Sequence, residues 1–222
     1  MKVVVSWSGG KDSAYALHLA KQQGYEIVNL LTMMNSEEKS SFHLIRSDIL
    51  DAHADATGVQ LIKKQTSNEV YEHDFKMVLT ELKNKGVKGL VTGDIRKVAN
   101  HEEDWLNRIC CEVGLKPIKP LWMLDTNQIY IDYIGAGFKA IVVRTNLSKL
   151  GVDWLGRVLD KQFYDNIIKL DNVDPCGEDG EYHTLITDAP YFKKKIEIIE
   201  TQKHNINNYS YLEVKDFALK LK

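Results

Sequence analysis

Six consecutive residues, Ser8-Gly9-Gly10-Lys11-Asp12-Ser13, bring together the groups needed to hold a polyphosphate. Two glycines let the backbone turn sharply and come close to an anion. A helix starting at about Asp12 would aim its first N–H groups at that anion, and its dipole would favour negative charge there. Ser8 and Ser13 add hydroxyl donors and Lys11 adds a cation. Asp12 stands where a carboxylate can hold a divalent cation bridging phosphates, with Mg2+ keeping several waters as the natural choice. The commoner phosphate loop would need glycine where Val5 stands and Ser or Thr directly after the lysine, where Asp12 stands.

A second polar cluster lies late in the chain: Gly177-Glu178-Asp179-Gly180-Glu181-Tyr182-His183-Thr184. Glu178 and Glu181 are candidates to bind a cationic substrate group or a metal; a solvated acidic turn is the alternative. Tyr182, His183 and Thr184 are weaker candidates for substrate contact. A general-base role for His183 would require it to titrate near neutrality. Asp94, preceded by Gly93, follows an apolar run at the end where ligands bind in open α/β sheets; a helix cap is its alternative. Arg144 could neutralise a phosphate or form a surface ion pair. Cys110 and Cys111 share an expected helix and read as core and near-core residues, and Cys176 reads as packed. No His/Cys spacing suggests zinc.

The elements that would position these groups follow from hydrophobic periodicity. Lys2 to Trp7 is a β-branched run suited to a buried parallel strand. Helices are expected from Asp12 to Gln23, Leu44 to Thr57, Glu69 to Lys85 and about Glu102 to Val113, with strands at Glu26 to Thr32, Val59 to Lys63 and Val87 to Thr92. Gly24, Gly58, Gly86 and Gly114 stand where left-handed helix ends favour glycine. After Pro117 and Pro120 a short helix near Asn127 to Ile134 leads to a strand at Lys139 to Arg144. The alternation implies an α/β fold: an open parallel sheet with helices on both faces. The character changes after about residue 145, where a helix near Asp160 to Leu170 and a strand from Lys195 to Thr201 suggest a smaller C-terminal α+β part. The expected division is residues 1–145 for nucleotide binding and 146–222 for the substrate.

The 222 residues, 44% hydrophobic, suffice for a real core. A net charge of -2 argues against broad nucleic-acid binding. No stretch approaches the roughly 18 uninterrupted apolar residues of a membrane span, and the opening MKVVVSW lacks the form of a signal peptide. Three cysteines point to a reducing cytoplasm. The oligomeric state stays open, with a homodimer among the alternatives.

The loop resembles the SGGKDS loop of the PP-loop, or N-type ATP pyrophosphatase, superfamily, matching six of six positions. The late cluster resembles the GE-x-GEY-x-T signature of the diphthine–ammonia ligase family. Pro120-Leu121-Trp122, Trp154-Leu155-Gly156-Arg157, Gly93-Asp94-Ile95 and Phe42-His43 resemble further segments of that family. The resemblance implies an adenine nucleotide hydrolase-like fold and an enzyme that splits ATP between its α- and β-phosphates. ATP would adenylate the carboxylate of diphthine on elongation factor 2, and ammonia would displace AMP to leave diphthamide. It also implies Lys11, Asp12, Glu178 and Glu181 as catalytic residues and Asp12 as the Mg2+ ligand. Ser8 to Ser13, Gly93 and Asp94 would bind the nucleotide, with His43 an even alternative between pocket and structure. The segment from Gly93 to Trp105 has a GDI…H…W form that resembles a related branch, which leaves another small-molecule or RNA substrate as the alternative.

Overall fold

The computed structural model describes residues 1–41, 43–97 and 104–222. Phe42 and the expected helix start at Glu102 lie outside the described residues. The chain divides into two compact units, Met1–Met123 and Leu124–Lys222.

The first unit runs β1 (Lys2–Ser6), α1 (Lys11–Gln22), β2 (Glu26–Met34), α2 (Ser47–Thr57), β3 (Gln60–Gln65), α3 (Tyr71–Asn84), β4 (Gly89–Val91), α4 (Trp105–Val113) and β5 (Lys116–Ile118). All five strands pair in parallel, in the order β3-β2-β1-β4-β5. Val3, Val4 and Val5 of the central strand are wholly buried, which explains why β1 reads as an unbroken apolar run and not an alternation. Val4, Leu31 and Met33 pack with Phe75, Leu79 and Leu82 of α3 and with Leu106, Ile109 and Cys110 of α4. Trp7, of opposite parity, sets its ring edge-on to His53 of α2, 5.5 Å between centroids. Successive strand residues point to opposite faces, so helices cover both sides of the sheet as the periodicity implied. All four expected glycine stops have positive φ, from 69° at Gly58 to 95° at Gly86.

Order reverses between β1 and β4: the chain moves outward through β2 and β3 on one side of β1, then returns to β4 and β5 on the other. The carboxyl ends of β1 and β4 therefore flank the crevice where ligands bind in open parallel sheets.

The second unit holds α5 (Thr126–Gly135), β6 (Lys139–Asn146), α6 (Lys161–Ile167), β7 (Tyr182–Asp188), β8 (Lys194–Ile206) and β9 (Tyr209–Leu221). Its four-stranded sheet runs β7-β6-β9-β8 and is antiparallel throughout. This corrects the expected boundary near residue 146. The α5–β6 pair reads as one more strand-helix repeat, but β6 joins β7 and β9, so the division falls between Met123 and Leu124. Strand β5, hidden by Pro117, and strand β9 were not expected, and β8 extends well beyond Thr201.

Candidate functional site

Strand β1 is tied down at its last turn before the loop. Trp7 N donates to Leu31 O at 2.8 Å, and Thr32 Oγ1 donates to Trp7 O at 2.6 Å. The chain then turns at Gly9, φ 80°, a left-handed conformation that glycine accommodates best. A Cβ at Gly9 would stand 2.8 Å from Ile45 Cδ1, so the turn after β2 presses against this loop. Gly10 caps α1 in an extended conformation, and no side chain caps the helix. Gly10 N donates to Ser8 Oγ at 3.2 Å, Ser13 Oγ donates to Gly10 O at 3.1 Å, and the two serine hydroxyls lie 3.1 Å apart. The result is a preset cradle at the N-terminus of a helix, where anions are favoured.

Lys11 is 5% exposed. Its Nζ donates to both oxygens of Asp12 at 2.7 Å. A buried ammonium needs a counter-charge, and Asp12 supplies it.

Gly93 and Asp94 leave β4 directly beside this loop. A Cβ on Gly93 would lie 2.5 Å from Asp12 C and 2.7 Å from Ser13 N. Only glycine lets the two loops approach this closely. Burial raises the pKa of Asp94; hydrogen bonding to Thr92 and the charge of Lys119 lower it, and the charges of Asp104 and Asp12 raise it further. Asp94 caps none of the described helices; Asp104 caps α4 by accepting from Asn107 N at 3.2 Å.

Two neighbours of Asp94 were not singled out in the sequence. Tyr71, at the start of α3, holds its phenolic proton tightly through burial and the nearby Asp94 charge. Lys119, just past β5, pairs with Asp104 and sits 3.5 Å from the centroid of the Trp122 ring. Lysine after a proline-bearing run gave no local signal; only the strand order brings it to the switch point. His43 is half-buried in the turn after β2, the turn that reaches the loop through Ile45.

The late cluster forms a separate constellation in the second unit. Glu181 is wholly buried. Its Oε1 accepts from Lys149 Nζ at 2.9 Å and Asp174 N at 3.1 Å, and its Oε2 accepts from Asp179 N at 2.9 Å. Asp174 in turn accepts from Thr126 Oγ1 at 2.9 Å and Cys176 N at 2.7 Å. Tyr182 is buried and donates its hydroxyl to Pro175 O at 2.5 Å. A Cβ at Gly177 would lie 2.9 Å from Tyr182 O, so this turn too closes on itself. Thr184 is buried in β7, whereas Glu178 and His183 are half-exposed. Glu181, Tyr182 and Thr184, expected to touch substrate, thus face inward, and the Glu181 oxygens are occupied by donors of their own loop. Cys176 is buried and its thiol donates to Thr126 O at 3.2 Å; Cys110 is buried and Cys111 exposed.

Among the described residues no group of three or more His, Cys, Asp or Glu is placed to hold a metal, and no helix is long and apolar enough to cross a membrane.

Two family models match nearly the whole chain: the diphthamide synthase N-terminal domain over residues 1–117 and the diphthamide synthase C-terminal domain over residues 125–219. The two matches meet where the structure divides. The chain is 27% identical over 242 residues to diphthine–ammonia ligase of Schizosaccharomyces pombe, covering 97% of this chain and 39% of that protein. It is 27% identical over 223 residues to diphthine–ammonia ligase of Homo sapiens, covering 88% and 82% respectively. A shorter match, 38% identical over 86 residues, relates 37% of this chain to 23% of the tRNA-specific 2-thiouridylase MnmA of Vibrio vulnificus.

Proposed function

The chain belongs to the diphthamide synthase family, a family of enzymes, and from that premise we propose that it is an ATP-dependent ligase that amidates the carboxylate of diphthine on elongation factor 2. The observation that carries the nucleotide half is the convergence of the Ser8–Ser13 loop and Gly93–Asp94 at the switch point of a parallel sheet.

The chemistry has two displacements. The acceptor carboxylate attacks the α-phosphorus of ATP, and pyrophosphate leaves. Ammonia then attacks the acyl carbon, AMP leaves, and a proton is shed as the amide forms. A carboxylate repels nucleophiles and has a poor leaving group; the acyl-adenylate has neither fault. The first step crowds anions together, so preorganised donors contribute most. The first-turn N–H groups of α1, the Ser8 and Ser13 hydroxyls and Lys11 are the groups we assign to the departing pyrophosphate. The two serine hydroxyls hold each other and Asp12 holds Lys11 before ATP arrives, which spares reorganisation.

Mg2+ would be held by Asp12 and would neutralise charge on the phosphates. One or two protein carboxylates with substrate phosphates and water is the usual magnesium arrangement, and the partly exposed Asp12 carboxylate in the first turn of α1 fits it. In the second unit, the half-exposed Glu178 and His183 are assigned to the acceptor, with Glu181, Tyr182 and Thr184 holding the loop in shape. A reaction on an elongation factor places the protein in the cytoplasm.

The test is direct. Purified protein with ATP, Mg2+, ammonium and diphthine-bearing elongation factor 2 should release AMP and pyrophosphate and add an amide to the factor. Release of ADP would end the adenylation reading. The match to a tRNA-specific thiouridylase supports a second reading, the same nucleotide chemistry on an RNA acceptor; turnover stimulated by tRNA and not by the factor would favour it.

A further inference from the structure

Arg144 stands within β6, opposite His183 on β7 and opposite Tyr211 on β9. Tyr211 stands opposite His204 on β8. Directly opposed residues of antiparallel strands share a face, so His183, Arg144, Tyr211 and His204 form one row across the sheet, about 14 Å long at the usual strand spacing. The adjoining row, Tyr182, Thr145 and Ser210, is buried on the opposite face. The first row is half-exposed along its whole length.

The guanidinium carbon of Arg144 lies 3.9 Å from the Tyr209 ring centroid and 5.4 Å from that of Tyr211. Its Nε is buried without an acceptor, and among the described residues no carboxylate pairs with it. The acid on the neighbouring strand position, Glu213, is already taken by His204 at 2.6 Å and Lys215 at 2.7 Å. Ring contacts hold a guanidinium by its face and leave its N–H edge unanswered. An arginine held against two tyrosine rings, with its Nε unanswered and no carboxylate partner among the described residues, is suited to take a planar or tetrahedral oxyanion through two parallel hydrogen bonds.

We propose that this row on the second unit's sheet is an oxyanion-binding site centred on Arg144, taking a carboxylate or a phosphate group. The site does not depend on the ligase reading, because it is defined by the unpaired cation and not by the nucleotide loop.

The experiment follows the Arg144 side-chain Nε–Hε signal of the full chain by NMR, identified by its loss in Arg144→Lys. Inorganic phosphate and sodium acetate are titrated at constant ionic strength, with chloride as the control. The expected result is a saturable shift with half-saturation of about 1–30 mM, the range of a single charge-assisted pair. Saturation by phosphate assigns a phosphate-bearing ligand, and saturation by acetate assigns a carboxylate-bearing one; either supports the site. A linear response equal to that of chloride for both anions overturns it. In Arg144→Lys the shifts of neighbouring His183 and Tyr211 signals should need at least about tenfold more anion, because the fork is lost while the charge remains. Unchanged anion affinity in that variant also overturns the proposal.

Discussion

Gly93 shows how much a missing side chain can carry. A methyl group there would overlap the backbone of Asp12 and Ser13, whose atoms cannot swing aside as a flexible side chain can. Gly93→Ala is expected to cost about 1–3 kcal/mol through forced backbone movement and to weaken ATP binding at the same time; chemical denaturation and nucleotide titration check the two effects. Asp94 argues the opposite balance. Burial lifts its pKa above the usual 3.8, so the folded chain holds this proton more tightly than the unfolded chain. Stability therefore falls as pH rises through the window above 3.8, and at neutral pH the ionised group is a standing cost. Asp94→Asn should raise the nucleotide-free melting temperature at pH 7, with the gain vanishing below pH 3.8, while slowing ATP turnover. A lower melting temperature at pH 7 would contradict this. The loop residues were legible in sequence because Ser8 to Ser13 are contiguous and act through local backbone geometry. Tyr71 and Lys119 were not, because their nearness to Asp94 arises from strand order, which no short window of sequence contains.

At the scale of elements, the turn leading into β7 is organised around a buried carboxylate. Glu181 answers Lys149 and two backbone N–H groups. Removing it leaves the buried Asp174 N–H without its acceptor, whereas Lys149 and Asp179 can turn to water, and Glu181→Ala is expected to cost about 1–3 kcal/mol; thermal unfolding read by the fluorescence of Trp154, in the same unit, would show it. Helices α3 and α4 are joined differently, across a half-exposed network. Glu72 accepts from Arg108 Nη2 at 2.7 Å and Trp105 Nε1 at 2.9 Å and pairs with Lys76 at 2.8 Å, and these bonds, Arg108's first, hold its carboxyl well below the usual range. A depressed acid stabilises above its ordinary value of 4.5 and loses that contribution as pH falls towards its folded-state value. Arg108→Ala should flatten this part of the acid-stability curve, an effect kept small by solvent screening. Helix limits were readable because glycine stops are local. Strand β9 was not, since this interior antiparallel strand is interrupted by Glu213, Lys215, Asp216 and Lys220 and so lacks the dense apolar run of β1.

For the molecule as a whole, the division between Met123 and Leu124 separates two different sheet types, one parallel and one antiparallel. Composition does not change there, so the sequence alone placed the boundary too late. The first unit has its own buried core and contains the entire phosphate loop. A fragment of residues 1–123 is therefore expected to fold cooperatively and bind ATP while producing no amide; calorimetry and circular dichroism would check this, and an unfolded fragment would contradict it.

The central position of β1 has a consequence for biosynthesis. Val3 pairs with Ile27 on one side but with Gly89 on the other. On the ribosome, one edge of this strand, with its Val3, Val4 and Val5 run, waits for its neighbour for roughly 4 to 17 s at ordinary elongation rates. During that interval the nascent chain exposes a sticky ribbon, so yield in the cell should depend on chaperone capacity and translation speed more than on the stability of the finished protein.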